Sequence, residues 1–381
     1  MKPEDLYKKA IENSFSEIKT ENMNENVQQF TEELDRLTNE FKKGIFRDRH
    51  ILIIGGAGYI GSVLTRKLLS KGYKVRVLDK LLYDNGISIS DLMEVDSFSF
   101  IFGDFGDDKL LESALTNITD VVLLAALVGD PICKKYPELA KKTNVDYPKQ
   151  LVQKLKGKNI NKFIFTSTCS NYGLMAEDTL ANEDSELNPQ SLYAETKVEF
   201  ERYIFDNLTQ LDYSPTILRL STAFGMSNRM RFDLTISEFT KDLAIGKELI
   251  VYDENTWRPY CNVSDISNAI IKVIETPKEK VFGQVFNIGS ENNNYTKMMI
   301  LELIKKHLDS TKIEYKKGGF DLRNYRVSFD KAKNILDYKT HFTAEDSIKQ
   351  IICAIENKLF KDIEIRKNFY GNYEIKNINA T

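Results

Sequence analysis

Two short runs carry residue types that act together in proton chemistry. The first is Tyr193-Ala194-Glu195-Thr196-Lys197, a tyrosine and a lysine four positions apart. On an α-helix such residues share a face. A free tyrosine ionises near pH ~10 and is a poor base at neutral pH. An ammonium group beside it favours the phenolate. The second run is Thr166-Ser167-Thr168-Cys169-Ser170-Asn171-Tyr172-Gly173. It follows the apolar stretch 163–165 and gathers hydroxyls where a buried strand would end. A phenolate, an ammonium and nearby hydroxyls suit removal of a proton from an alcohol. Each run alone is commonplace on a protein surface, so the inference depends on elements that bring both to one place.

Residues 51–61 read ILIIGGAGYIG and supply the first such element. The four apolar residues 51–54 suit a buried strand, and a helix-like run follows over 62–70. Gly55, Gly58 and Gly61 recur between them at three-residue intervals. Glycines in such a turn permit a tight bend, close approach of backbone to a pyrophosphate, and close packing of helix on strand. The helix N-terminus then offers free N–H groups and partial positive charge to phosphate. The spacing is GxxGxxG, which departs from the GxGxxG form. A second strand, 74–78, ends at Asp79, an acid placed to bind ribose hydroxyls. Strand, turn, helix, strand and acid in this order imply a dinucleotide site. Further strands are expected at 97–102, 121–125, 162–166 and 215–219, with a return at 285–288, and helices at 107–115 and 145–155. Such alternation implies a parallel sheet covered on both faces. Ligands bind beyond the carboxyl ends of its strands, which selects 55–61, Asp79, Asp104, 126–130 and 167–173.

Composition narrows the function classes. The 381 residues carry a net charge of −3 with acids and bases interspersed. That gives no electrostatic reason to expect nucleic acid or an anionic membrane as partner. No apolar run approaches a membrane span, and the start, MKPEDLYKKA, lacks the apolar core of a signal peptide. Cys133, Cys169, Cys261 and Cys353 show no metal or disulfide spacing, as expected of reduced thiols in a cytoplasmic protein. His50, His307 and His341 adjoin no motif, so neither a Ser/His/Asp triad nor a histidine-rich metal site is expected. Residues 1–47 are expected to form an N-terminal helical extension. In it Val27, Phe30, Leu34, Leu37 and Phe41 make one apolar stripe. The stripe packs either on this chain's own domain or on another subunit.

Taken together, these marks resemble the extended short-chain dehydrogenases/reductases, the nucleotide-sugar epimerase/dehydratase superfamily. They are GGAGYIG, Asp79, Gly103-Asp104, LAAL at 124–127, TSTCSNYG and YAETK, in the family's order over most of the chain. The resemblance implies an α/β fold with a Rossmann-type doubly wound parallel sheet over 48–219. A smaller α/β substrate-binding region over 220–381 is interleaved with the last strands. It implies NAD as cofactor, a nucleoside-diphosphate sugar as substrate, and a homodimer or higher homo-oligomer. In this likeness Tyr193 is the base, Lys197 holds the nicotinamide ribose and lowers the tyrosine pKa, and Thr168 binds the sugar hydroxyl being oxidised. The implied cofactor contacts are Gly55, Gly58, Tyr59, Ile60 and Gly61 in the turn, Asp79 at the ribose, and Asp104 and Phe105 at the adenine. Ala125, Ala126 and Leu127 line the cleft, and Asn144 stands beside the active site. The implied substrate contacts are Thr168 with the adjoining Cys169 and Ser170, then Thr222, with Arg258 and Arg323 on the diphosphate. Arg229 and Arg231 are further basic candidates.

The resemblance leaves the reaction open. The stretches LAALVGDPICKKYPELAKKTN and STAFGMSNRMRFDL resemble a bacterial subgroup that acts on nucleotide-activated sugars for surface glycans, including GDP-heptose 4-dehydrogenases. A C4 keto-sugar is expected, then returned as an epimer, released as a ketone, or dehydrated. The 4,6-dehydratases of the family commonly place an acidic pair after the catalytic threonine. Cys169 and Ser170 stand there instead, so dehydration is the least expected outcome. A non-catalytic NAD-binding scaffold is argued against by the complete Thr168/Tyr193/Lys197 set. Asp79 favours NAD over NADP because it would repel a 2′-phosphate, and Lys80 is the neighbour that opposes this preference.

Overall fold

In the computed structural model the described residues are 49–176, 179–319 and 323–375, and the expected N-terminal helical extension lies outside them. Strand β1 (His50–Ile54) passes through the glycine turn into α1 (Tyr59–Ser70), which returns the chain to β2 (Lys74–Asp79). β3 (Phe98–Phe102), α2 (Asp108–Ala114) and β4 (Asp120–Leu123) follow. Two short helices, α3 (Asp130–Lys135) and α4 (Pro137–Lys141), and a π-helical turn over Lys142–Asp146 lead into α5 (Tyr147–Leu155). Then come β5 (Lys162–Thr168), the two-residue β6 (Leu180–Ala181), α6 (Leu192–Asp206) and β7 (Ser214–Leu220).

The later part of the chain is built from smaller pieces. They are β8 (Thr222–Phe224), α7 (Thr235–Ala244), β9 (Leu249–Tyr252), β10 (Trp257–Asn262), α8 (Val263–Glu275) and α9 (Lys278–Val281). β11 (Gln284–Ile288), β12 (Asn294–Thr296), α10 (Lys297–Lys305), β13 (Ile313–Lys316), β14 (Arg326–Val327), α11 (Asp330–Leu336) and α12 (Ala344–Glu356) complete it.

Seven strands form one parallel sheet in the order β11-β7-β5-β4-β1-β2-β3. This is the doubly wound, Rossmann-type α/β arrangement. The order turns around between β1 and β4, the kind of switch point where open sheets hold ligands. The central strands are apolar without alternation because both faces are covered. Leu52 and Ile54 of β1 join Leu111 of α2, Leu151 of α5 and Phe200 of α6 in one core. α1 is tied to α8 by Lys67, whose Nζ donates to Asn268 Oδ1 at 2.7 Å. β11 returns to the edge of the sheet beside β7, as the sequence at 285–288 implied.

Four boundaries differ from expectation in ways that matter for the site. β5 runs to Thr168 rather than 166, because its pairing with β7 continues to Thr168 opposite Leu220. That extension carries the threonine to the strand's carboxyl end. β4 stops at Leu123, since the N–H groups of Leu124 and Ala125 both turn to Ile54 O, at 2.9 and 2.8 Å. The helix expected at 145–155 begins with the π-helical turn, and α1 starts three residues early, at Tyr59.

Beneath the ends of β5 and β7 lies a buried ion pair. Glu201, one turn after Lys197 on α6, meets Arg219 of β7 at 2.8 Å. Its carboxylate also accepts from Ser167 Oγ and from Asn171 Nδ2, the latter at 2.9 Å. Arg219 donates onward to Tyr172 OH at 3.0 Å, and Tyr172 OH donates to Asn287 Oδ1 at 2.7 Å. The network thus locks α6 against the three strands β5, β7 and β11. Removing one member of such a pair strands an uncompensated charge. Glu201→Ala should therefore lower stability by about 3–5 kcal/mol in urea unfolding. A loss under about 1 kcal/mol, the size of an exposed ion pair, would show that the pair does not hold these elements.

Candidate active site

The carboxyl ends of the central strands open into a cavity of about 730 Å³. Its floor is the glycine turn. Gly55 has φ +90°, and a Cβ there would lie 2.6 Å from the Ala125 backbone nitrogen. A Cβ on Gly61 would lie 2.4 Å from Gly55 O, so α1 sits directly on the end of β1 only because Gly61 lacks a side chain. Gly58, Tyr59 and Ile60 line the same cavity.

Asp79, at the end of β2, accepts the N–H of Ala57 at 3.0 Å and of Leu81 at 2.8 Å. Burial pushes its carboxyl pKa up, and these two backbone N–H groups oppose the shift. Each oxygen has a further lone pair to offer a hydroxyl. Lys80 is turned toward Asp104, with Nζ 3.0 Å from Oδ2. Asp104 and Phe105 line the cavity beyond β3, with Phe105 edge-on to Tyr147. Ala125 and Ala126 line it beyond β4.

Leu127 and Asn144 do not line the cavity. Leu127 is buried; its N–H goes to Asn144 Oδ1 at 2.8 Å and its carbonyl accepts Asn144 Nδ2 at 3.1 Å. Asn144 also donates to Thr196 Oγ1 at 3.2 Å. Both therefore act as a strut from the loop after β4 to α6, which corrects the expectation of direct cofactor contact.

Tyr193 and Lys197 share a face of α6, whose N-terminus is capped by the Ser191 side chain. Lys197 is buried, with Nζ donating to Thr166 O at 2.9 Å and lying 4.7 Å from the centre of the Phe165 ring. It is 5.9 Å from the centre of the Tyr193 ring. Burial pushes the Lys197 ammonium down to about 8, with Cys133 and Glu201 opposing. For the Tyr193 phenol burial dominates and pushes the pKa up, Cys133 and Asp130 act the same way, and Arg231 and Arg323 pull it back. The protein's own charges thus do not make Tyr193 an easy base, contrary to the simple reading of the Tyr/Lys pair.

Thr168 ends β5 on the cavity, and its Oγ1 accepts the Ser170 N–H at 3.1 Å. Ser170 Oγ meets Arg323 NH1 at 3.2 Å and Tyr325 OH at 3.3 Å. Arg323 NH2 pairs with Asp130 Oδ2 at 3.0 Å. Arg258, on β10, donates to Trp257 O at 2.7 Å and to the Arg323 carbonyl, and lies over the Tyr325 ring. Thr168, Ser170, Thr222, Arg258 and Arg323 are thereby brought to one cavity with Tyr193 and Lys197.

Cys169 is not part of it. Its side chain is fully buried among Tyr172, Ala181, Tyr325 and Phe329, and Sγ donates to Arg219 O at 3.2 Å. Burial pushes its thiol pKa up, so it is neither a substrate contact nor a ready base. Arg229 and Arg231 reach the cavity but are answered by protein groups. Arg231 makes two 2.6 Å bonds to Asp233. Arg229 lies over the Tyr83 ring and donates to Asn372 Oδ1 at 2.8 Å and to the Gly371 carbonyl at 3.2 Å. Both arginines line the cavity with these partners in place, as Arg323 does with Asp130. Sequence reasoning passed over Asn372, Tyr373 and Ile375, which also line the cavity and lie in no motif. Asp130 fell in a selected stretch but received no role.

Among the described residues no cluster of three or more His, Cys, Asp or Glu side chains could hold a metal ion. No helix among them is long and apolar enough to cross a membrane.

With this geometry in place, comparison with known proteins is informative. Residues 51–289 match the NAD dependent epimerase/dehydratase family. A UDP-glucose 4-epimerase from Lactobacillus helveticus is 28% identical over 321 residues, covering 78% of this chain and 94% of that protein. The structure of UDP-glucuronic acid 4-epimerase from Bacillus cereus, in complex with UDP-glucuronic acid and NAD, is similar with a TM-score of 0.74. That likeness has 25% identity and covers 81% of this chain and 99% of the other. A dTDP-glucose 4,6-dehydratase from Bacillus anthracis, in complex with NAD, is also similar, with TM-score 0.73 and 25% identity over 82% of this chain and 98% of its own. By its fold, its cavity and these matches, the chain belongs to the NAD-dependent epimerase/dehydratase family.

Proposed function

We propose that this enzyme oxidises the C4 hydroxyl of a nucleoside-diphosphate sugar and returns the keto-sugar as the C4 epimer. The observation that carries the reading is one cavity lined by Thr168, Tyr193 and Lys197 together with the glycine turn, Asp79, Arg258 and Arg323.

The residues present fit NAD. Gly55, Gly58 and Gly61 line the cavity at the N-terminus of α1, where backbone can approach a pyrophosphate closely. Asp79 retains acceptor capacity for a ribose diol, and Lys80 is paired with Asp104 rather than held ready for a 2′-phosphate. When bound, the nicotinamide supplies the hydride acceptor and donor that no side chain provides. Thr168 orients the sugar hydroxyl, and Tyr193 takes its proton. Lys197, anchored on Thr166 O, stabilises the phenolate that forms. Arg258 and Arg323 give charge-assisted hydrogen bonds to the diphosphate. Dehydration would need an acid and a base next to C5 and C6. Cys169 faces the core and Ser170 is a hydroxyl engaged by Arg323, so that pair is lacking where the family's dehydratases commonly carry it.

Epimerisation is supported by the similarity to UDP-sugar 4-epimerases. Release of the ketone is the second reading, favoured by the resemblance of the stretch from Leu124 to a surface-glycan 4-dehydrogenase subgroup. Incubation with UDP-, GDP-, CDP- and dTDP-sugars, followed by mass spectrometry and NMR, tests both. An epimer of unchanged mass is expected. A product lighter by two hydrogens would replace epimerase with dehydrogenase, and one lighter by a water would contradict the reading of Cys169 and Ser170.

Tyr193→Phe should retain bound NAD and lose about 10²–10⁴-fold in kcat, the usual worth of a positioned acid–base group. Near-parental turnover would remove Tyr193 from the mechanism. The pH profile of kcat/KM gives a separate check. Lys197 must stay charged, so the rate should fall as pH rises through about 8. Lys197→Arg, which cannot lose its charge in this range, should show a lower rate without that alkaline fall. Persistence of the same fall in the arginine variant would assign it to another group.

A further inference from the structure

The cavity has a wall that comes from the far end of the chain. The Phe232 N–H donates to Tyr370 O at 2.7 Å, and Phe369 and Tyr370 pack into a core with Met230 and Phe232. Beyond them Asn372 spans between two loops. Its Oδ1 accepts from Arg229 at 2.8 Å, its backbone N–H donates to Asp233 Oδ2 at 3.2 Å, and its Nδ2 donates to Val128 O at 3.3 Å. Glu374 pairs with Lys135 of α3 at 3.1 Å, an exposed contact of little worth. Ile375 is 4% exposed and anchors the segment among Leu127, Ile132 and Cys133, beside Tyr193.

The two loops that Asn372 joins both border the dinucleotide turn. Val128 lies three residues past Ala125, on which Gly55 packs. Ser227, two residues before Arg229, donates from Oγ to Tyr59 O in the turn at 2.7 Å. Arg229 itself is 3% exposed, lines the cavity, and keeps its Nε without a hydrogen-bond partner among the described residues.

We propose that residues 372–375 are a strap that closes the cofactor cleft and slows release of NAD. The strap rests on the dinucleotide-site reading above and adds a consequence to it. An epimerase returns its cofactor to the starting redox state in every cycle, so it gains by holding one molecule through many turnovers. A dehydrogenase that releases its ketone needs that cofactor reoxidised in place or exchanged. A bridge of three hydrogen bonds and a buried apolar anchor is built for holding.

The test uses the full chain and two variants, Asn372→Ala and Ile375→Asp. Release of NADH is followed by fluorescence after mixing with excess NAD. Hydrogen–deuterium exchange of 368–375 is measured with and without NAD. Losing two or more hydrogen bonds, or the anchor, should speed release at least about tenfold, and NAD should slow exchange in the parent segment. Release within about twofold of the parent in both variants, with exchange unaffected by NAD, would overturn the strap. Tighter cofactor binding by the variants would overturn it too, since the segment would then compete with NAD. A parent chain that binds neither NAD nor NADH would remove the dinucleotide reading itself, and the strap with it. If Ile375→Asp unfolds, Asn372→Ala, which only trims two side-chain bonds, decides alone.

Discussion

A buried ammonium group must find an acceptor, and in this chain the 2.9 Å bond from Lys197 Nζ to Thr166 O meets that need. The bond crosses from the first turns of α6 to the last residues of β5. It therefore fixes the distance between the helix that carries Tyr193 and the strand end that carries Thr168. Lys197 is 3% exposed and packs against the Phe165 ring, so this carbonyl is the fixed partner that orients its ammonium at the cavity wall. The rest of the site inherits its geometry from this contact.

The surrounding structure works to keep that contact in register. Glu201 and Arg219 brace α6 against β5 and β7 from below, and Ser167, between Thr166 and Thr168, donates to the same carboxylate. Asn144 braces the helix from the other side through Thr196 and Leu127. Rigid support of this kind is what positions catalytic groups to within fractions of an ångström. The electrostatic cost is visible in Tyr193, whose phenol is pushed up by burial. The oxidised nicotinamide carries a positive charge, and that charge together with Lys197 is what the proposed chemistry asks to bring the tyrosine into use.

Much of this was legible in the sequence for local reasons. Apolar runs without alternation gave the buried parallel strands, and glycines with an acid after the next strand gave the dinucleotide turn. The helical spacing of Tyr193 and Lys197 placed them on one face. What stayed hidden was set by long-range partners. Cys169 and Ser170 are adjacent, and only the bend after β5 decides that one enters the core and the other the cavity. Arg231 reads as a free cation until Asp233 folds back on it, and Arg229 until residues 371–372 arrive from the chain's far end. Asn144 looks like a ligand because its type suits one, yet its amide is spent on Leu127. No periodicity announces Ile375, since the residues that cluster around it lie more than 180 positions away.

The central claim is that a C4 hydrogen moves between sugar and nicotinamide while Tyr193 handles the hydroxyl proton. The most direct measurement follows a deuterium placed at C4 of a sugar nucleotide that the enzyme converts. The label is predicted to remain bound to carbon, on C4 of the epimer or on the nicotinamide ring. Its loss into water during conversion would contradict the claim.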